Sequence, residues 1–207
     1  IGDGIDSILP ALDGVETVIH MAGSRGNVPA ETHIKANITG VYNLFEACRI
    51  TGVKRIVAAS TGAVVAGYEK DEPHKSLVHD PNFEMPSPRP VITVDSPIRP
   101  RNMYSVSKMF TENLGRMYSE QYDMSIICIR IGKVEIDDVP LNARNASVWC
   151  SHRDILQMVD KAVHAPADLK YAIVFACSDN PTRYRDIEHA KNVLGFIPQD
   201  SAVDHGF

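Results

Sequence analysis

Tyr104 and Lys108 stand four residues apart, a spacing that sets a phenol and an ammonium on one face of a helix. For the phenol to accept a proton near neutrality, its pKa must fall by about 3 units, about 4 kcal/mol, and a neighbouring cation favours the phenolate. The pair alone is weak evidence, because seven tyrosines and nine lysines in 207 residues give ~0.3 such pairs by chance. The run Arg55-Ile56-Val57-Ala58-Ala59-Ser60-Thr61-Gly62 strengthens it. A buried strand ending in hydroxyls and a glycine is where an open α/β sheet displays its reactive groups. Thr61 there is either a substrate-holding hydroxyl or a turn hydroxyl.

Four β-branched runs, over 15–21, 54–59, 125–131 and 172–177, predict the strands that position these groups, each buried on both faces. Helical spacing joins Ile34, Ile38, Val41, Phe45 and Cys48 up to a stop at Gly52, and joins Val106, Phe110, Leu114 and Met117 in the same way. Ser151, with Asp154 three residues on, reads like a capping box ahead of Ile155, Met158, Val159 and Ala162. A fourth helix is expected over about 184–194, closed by Gly195 and Pro198. Strands alternating with helices predict the α/β class, a doubly wound parallel sheet with ligands at the strand C-termini. Residues 69–102 break the rhythm with Pro73, Pro81, Pro86, Pro88, Pro90, Pro97 and Pro100, and read as a long ordered excursion, neither strand nor helix.

Composition narrows the function classes. With 44% apolar and 23% charged residues the chain can bury an ordinary core, which argues against disorder. Its 21 Lys and Arg are scattered among 26 Asp and Glu, so no basic stripe tracks nucleic acid. Cys48, Cys128, Cys150 and Cys177 form no C-x-x-C pair, which indicates neither a metal site nor a disulfide framework. The apolar stretch 56–67 is too short to span a bilayer and no export signal precedes it, so a cytoplasmic protein without membrane contact is expected.

In order, the segments Val18-Ile19-His20-Met21-Ala22-Gly23, Asn37-Ile38-Thr39-Gly40-Val41-Tyr42-Asn43-Leu44, Ser60-Thr61 and Tyr104-Ser105-Val106-Ser107-Lys108 resemble the extended short-chain dehydrogenases/reductases, also called NAD-dependent epimerase/dehydratases. Arg130-Ile131-Gly132, Trp149-Cys150-Ser151-His152-Arg153-Asp154 and Ser178-Asp179-Asn180 are most similar to the uronate dehydrogenase branch. The resemblance implies a Rossmann-like fold and a catalytic set of Tyr104, Lys108 and Thr61. It also implies a cofactor lining of Asp3, His20, Ala22, Gly23, Ala59, Ser60, Tyr104, Lys108 and Ile131, with NAD as the cofactor and NADP as the alternative. His20 could equally be a satisfied core histidine, Asn37 a structural helix residue, and Trp149 packing.

Departures from the family pattern are as specific as the matches. No G-x-G-x-x-G follows a strand, and Gly2-Asp3-Gly4-Ile5 resembles the end of the family's third strand, beside the adenine. About 50 to 60 residues are therefore expected upstream, and 1–207 is read as one NAD(P)-binding domain lacking its first strand–helix units. Its substrate-binding portion is expected mainly in 69–102 and 133–207. On that side Gly62-Ala63 stand where the uronate branch has Asn-His, Arg25 and Lys133 where it has serine, and Arg144 matches its carboxylate-binding arginine. Arg25, Lys133, Arg144 and Thr61 are thus the expected substrate-binding set, and a surface pairing of Arg144 with an acid such as Asp138 is the competing reading.

The expected function is hydride transfer between a sugar or sugar-acid hydroxyl and nicotinamide, by Tyr/Lys/Thr acid–base catalysis. Epimerisation or dehydration of a nucleotide-sugar is the first alternative, and a non-catalytic dinucleotide- or partner-binding protein the second. A homodimer through the helices holding Val41 and Phe110 is also expected.

Overall fold

A computed structural model of the chain describes residues 1–80 and 83–207, so Pro81 lies outside the described residues. In chain order the elements are β1 (Thr17–His20), α1 (Ala30–His33), α2 (Gly40–Thr51), β2 (Arg55–Thr61), α3 (His74–His79), α4 (Met103–Tyr122), β3 (Ser125–Ile131), α5 (Ala143–Val148), α6 (His152–Val163), β4 (Tyr171–Ala176) and α7 (Glu188–Leu194). The sheet order is β1-β2-β3-β4, and β1 pairs with β2 in parallel from Thr17–Arg55 to His20–Ala58. Every step between neighbouring strands contains a helix, the connection that parallel strands require. This is the expected α/β, Rossmann-like class.

The chain clusters into two compact units. The first comprises 1–60, 101–129 and 162–173, and the second 61–100, 130–161 and 174–207. In the first unit, Val41, Phe45 and Cys48 of α2, Leu114 and Tyr118 of α4, and Ile56, Ala58, Ile126 and Cys128 of the strands form one buried core. Phe45 and Tyr118 meet edge-on at 5.5 Å, a geometry worth about 1 kcal/mol beyond the area buried. Arg55 enters the sheet beside this core. Its guanidinium donates to the carbonyls of Val163, Ala165 and Pro166, so the free C-terminal carbonyls after α6 serve as its counter-charge.

Several expectations change on contact with the structure. β1 is not buried on both faces, since Ile19 is 50% exposed. The chain over 34–39 takes a wide π turn, which throws Ile34 out of the extrapolated stripe to 44% exposure and turns Asn37 inward. Val106 and Met117 of α4 are likewise exposed, because its inner face is built from Ser105, Ser107, Lys108, Thr111, Glu112 and Gly115 as well as Leu114. Val41 of α2 is fully buried.

The excursion over 69–102 does contain helix: a 3-10 segment runs over Gly62–Lys70 and α3 follows Pro73, which is tolerated at a helix start because its missing N–H would be unpaired there. The fourth predicted helix begins only at Glu188, since Ile92 pairs with Arg185 as an isolated bridge and holds 184–186 extended. Ser151 caps α6, accepting from the Asp154 N–H at 3.0 Å, but the Asp154 carboxylate accepts from Ser178 Oγ and Gln199 N instead of closing the box.

In the second unit, Gly132 N donates to Ala176 O and Lys133 N to Val148 O. A Cβ at Gly132 would lie 2.4 Å from Val148 O and 2.8 Å from Ala176 O, both backbone atoms that cannot yield separately. Gly132→Ala should therefore cost about 2 kcal/mol or more, read as a lower urea midpoint at unchanged m-value. An unchanged midpoint would mean that this close approach is not maintained in solution.

Candidate active site

The first unit assembles the chemistry around α4. Asn102 caps the helix through Oδ1, which accepts from Ser105 N at 2.8 Å and so fixes where the first turn begins. Tyr104 lies on that turn, its ring 6.0 Å from the ring of buried His33. One turn on, Lys108 is 3% exposed and donates from Nζ to Ala59 O at 2.9 Å. One turn further, the buried Glu112 accepts from Ser60 Oγ at 2.6 Å. Residues 108 and 112 thus engage consecutive residues of β2, which fixes both the rotation and the height of α4.

Asn37 ties the other side. Its Oδ1 accepts from Ser24 N at 2.8 Å while Nδ2 donates to Ser24 O and to Ser107 Oγ, each at 2.9 Å. Both ends of the amide are thereby engaged, and they brace the loop after β1 against α4: the structural reading of Asn37 describes what it does. The loop itself comes close at Gly23, where a Cβ would stand 2.8 Å from Asn37 Oδ1 and 3.3 Å from Lys108 Nζ.

Burial in this region works against charge. It lowers Lys108 to about 8, which still leaves the ammonium mostly protonated at neutral pH. Burial, aided by the Lys108 charge, lowers His20 to about 4, so this imidazole is neutral, and its Nε2 is buried with no hydrogen-bond partner.

The residues here fit a dinucleotide. An orphaned imidazole nitrogen at the end of β1, a loop in which only glycine fits at position 23, and a fixed ammonium are what sugar hydroxyls and a close-lying ring require. Ala22 and Gly23 are exposed on that loop, and Ala59 and Ser60 are buried at the end of β2. Asp3 is exposed and 3.3 Å from Lys35, beside a hollow of about 430 Å³ lined by Ile1, Gly2, Glu31, Thr32 and Ala36. Arg25 is exposed in the same unit.

The second unit holds the remaining expected residues. Thr61 ends β2 buried, and its Oγ1 accepts from Ala63 N at 3.2 Å, so it acts as a turn hydroxyl at least in part. Ile131, the last residue of β3, is half-buried. Lys133 pairs with Glu135 at 3.1 Å. Arg144 does have an acid partner, but it is Glu69 and not Asp138: Nε donates to Oε2 at 2.8 Å and Nη2 to Oε1 at 3.0 Å. Tyr184 OH donates to the same carboxylate at 2.6 Å. Burial alone would raise the Glu69 carboxyl, but the bonds from Arg144 and Tyr184, with the charges of Arg144 and Arg185, hold it below the usual range.

Glu112, Ser107, Glu69, Tyr184 and Arg185 were not among the expected site residues. Glu112 continues the i, i+4 series of Tyr104 and Lys108 and was open to detection. Glu69 and Arg144 are 75 residues apart, with no local pattern to join them. Among the described residues no cluster of three His, Cys, Asp or Glu could hold a metal, and no helix is long and apolar enough to cross a membrane.

Comparison with known proteins agrees with this geometry. The profile of the NAD dependent epimerase/dehydratase family matches residues 4–136. An NAD-dependent glucose-6-phosphate dehydrogenase of Haloferax volcanii is 34% identical over 206 residues, covering 95% of this chain and 73% of that protein. A uronate dehydrogenase of Pseudomonas syringae is 30% identical over 197 residues, covering 95% of this chain and 64% of its own length, so the chain spans less than two thirds of that relative. A mutant uronate dehydrogenase of Agrobacterium tumefaciens complexed with NAD superposes with a TM-score of 0.82 at 29% identity, over 99% of this chain and 69% of that one.

Lys108 yields a stability test with a defined sign. Its folded pKa, near 8, lies below the unfolded 10.5, so between these values the unfolded state holds more protons and stability rises with pH. Relative to Lys108→Met, the wild type should gain about 2 to 3 kcal/mol between pH 7 and pH 10 in urea melts. A pH-independent difference would mean that the ammonium is not buried.

Proposed function

The chain belongs to the NAD-dependent epimerase/dehydratase family, and we propose on that footing that it takes part in oxidising a sugar or sugar acid with NAD. The observation that carries this reading is the buried Lys108 ammonium, held on Ala59 O one helical turn from Tyr104. Tyr104 OH is the base for the sugar hydroxyl proton. The Lys108 charge favours the phenolate, and the bonds to Ala59 and Glu112 prevent α4 from turning its phenol away. Thr61 Oγ1 holds the reacting oxygen with the lone pair and proton left by its bond from Ala63 N. Bound NAD supplies the hydride acceptor. His20, Ala22, Gly23, Ala59, Ser60 and Ile131 line its reactive end and Asp3 its adenosine end, while Lys108 reaches the ribose. NADP is the alternative cofactor.

Arg144, Arg25 and Lys133 are assigned to the substrate side. Relatives that act on uronate and on glucose 6-phosphate, by their names, support an anionic sugar. Arg144 gives Glu69 only one edge of its guanidinium and keeps a side chain 39% exposed, so Nη1 can meet a substrate oxyanion. A homodimer through the helices holding Val41 and Phe110 is the proposed assembly, with Tyr42, Met103, Val106 and Met117 exposed on them.

Sustained NADH formation with glucuronate or glucose 6-phosphate tests the reading. An epimerase, which returns the hydride, would accumulate none. Tyr104→Phe should lower kcat at least about 10²-fold with NAD affinity nearly unchanged, because one hydroxyl is lost and the ring stays. Near-normal turnover would remove Tyr104 from the chemistry. Arg144→Lys, which cannot reproduce the fork, should raise KM for a uronate about tenfold or more and for the parent aldose far less. Equal losses on both sugars would mean that Arg144 does not read an anion.

A further inference from the structure

Arg185 is the charged side chain that nothing above explains. It is 3% exposed, its Nε is buried with no hydrogen-bond partner, and among the described residues it forms no ion pair, its Cζ lying 5.5 Å from the centre of the Tyr184 ring. A buried guanidinium in that condition is costly unless something else completes it. The backbone offers no freedom to withdraw it: Ile92 N donates to Tyr184 O at 2.7 Å and Asp186 N to Ile92 O at 3.0 Å, which clamps Arg185 on both sides.

Gly62 makes room for it. A Cβ at position 62 would lie 2.1 Å from Arg185 Nη1 and 2.4 Å from its Cζ, so the guanidinium occupies the volume that any other residue would fill. Gly62 directly follows Thr61, the hydroxyl assigned to the reacting oxygen. Around it the charges do not cancel. Glu69 accepts two bonds from Arg144 and one from Tyr184, and the Arg185 charge also reaches it, so one carboxylate faces two guanidiniums and the set keeps one positive charge.

We propose that Arg185 is a substrate-specificity residue: with Arg144 it forms an oxyanion site beside Thr61 that takes the carboxylate or phosphate of a sugar substrate, while Glu69 holds the two cations in place. The proposal deepens the dehydrogenase reading and rests on it for the word substrate. The anion site itself does not, and binding can be measured without NAD. A planar fork in a dry setting prefers a divided negative charge, which a sugar carboxylate or phosphate supplies and a neutral aldose does not.

The experiment compares wild type with Arg185→Met, Arg185→Lys, Gly62→Ala and the surface control Arg153→Met, whose arginine pairs with Asp200. Thermal melts are titrated with inorganic phosphate and with glucuronate, without cofactor. Wild type and Arg153→Met should be stabilised by the anions. Arg185→Met should need at least about tenfold more of either, the scale of one charge-assisted bond, and Gly62→Ala should match it because its methyl group displaces the guanidinium. Arg185→Lys should keep part of the response.

Without anion, Arg185→Met should melt at or above the wild-type temperature, since it removes a buried charge that has no ion pair and whose Nε lacks a hydrogen bond. A purely structural arginine would lower that melting point, and this result overturns the proposal. So does an anion response equal to wild type in Arg185→Met. In NAD assays KM should rise about tenfold for the anionic sugar and less than about twofold for its neutral parent. A larger loss on glucose 6-phosphate than on glucuronate identifies the group as phosphate, and the reverse as carboxylate. If no sugar reduces NAD while phosphate still stabilises the protein through Arg185, the dehydrogenase reading falls and the anion site stands.

Discussion

The hydrogen bond from Lys108 Nζ to Ala59 O is the constraint on which the first unit's chemistry depends. An ammonium leaves water only if its protons are received elsewhere, and a strand-end carbonyl receives one here. The bond spans 49 residues of sequence and sets the rotation of α4 about its own axis. Tyr104 is then aimed by a bond it does not make. The Ser60–Glu112 bond repeats the device one turn along, so the helix is held at two points on one stripe, and the Asn37 amide braces the loop that carries Gly23 to the same stripe. Burial keeps the Lys108 pKa near 8, low enough to weaken the ammonium but not to discharge it at neutral pH. The positional precision of this site is therefore obtained with the hydrogen-bonded buried groups Lys108, Glu112 and Asn37.

That construction explains what could and could not be read in the sequence. The strands were legible because β-branched runs suit a pleated backbone, and 125–131 agrees to the residue with Ser125–Ile131. The existence of α4 was legible too, but not its inner face. A search for apolar periodicity selects Val106 and Met117, which are exposed, and passes over Ser105, Lys108 and Glu112, which are buried by hydrogen bonding. The same bias misplaced Ile34. A period of 3.6 carried across the π turn at Ile34–Thr39 loses phase, and the turn brings in Asn37, a residue that hydropathy would send to the surface.

Of the candidate site, the motif residues on α4 and at the end of β2 were legible because they lie close together in sequence. The Glu69 set was not, because its members come from the 3-10 segment after β2, from α5 and from the stretch before α7, and meet only through the fold of the second unit.

The charge count in the second unit carries the functional argument further than any one motif. Lys133 is matched by Glu135, Arg153 by Asp200 and Arg183 by Asp179, so these three cations are paired one to one. Arg144 is likewise matched by Glu69, while Asp138 accepts from His152 N. Arg185 has no carboxylate of its own among the described residues, and it is buried. An interior guanidinium without a carboxylate of its own is costly to desolvate. Such a group persists where a compensating charge arrives from outside, and the bound state alone then collects the full interaction. The glycine at 62 and the clamp on Ile92 point the same way: the space and the backbone are both arranged to keep a guanidinium in a place where, without an anion, a smaller apolar side chain would be the more stable choice.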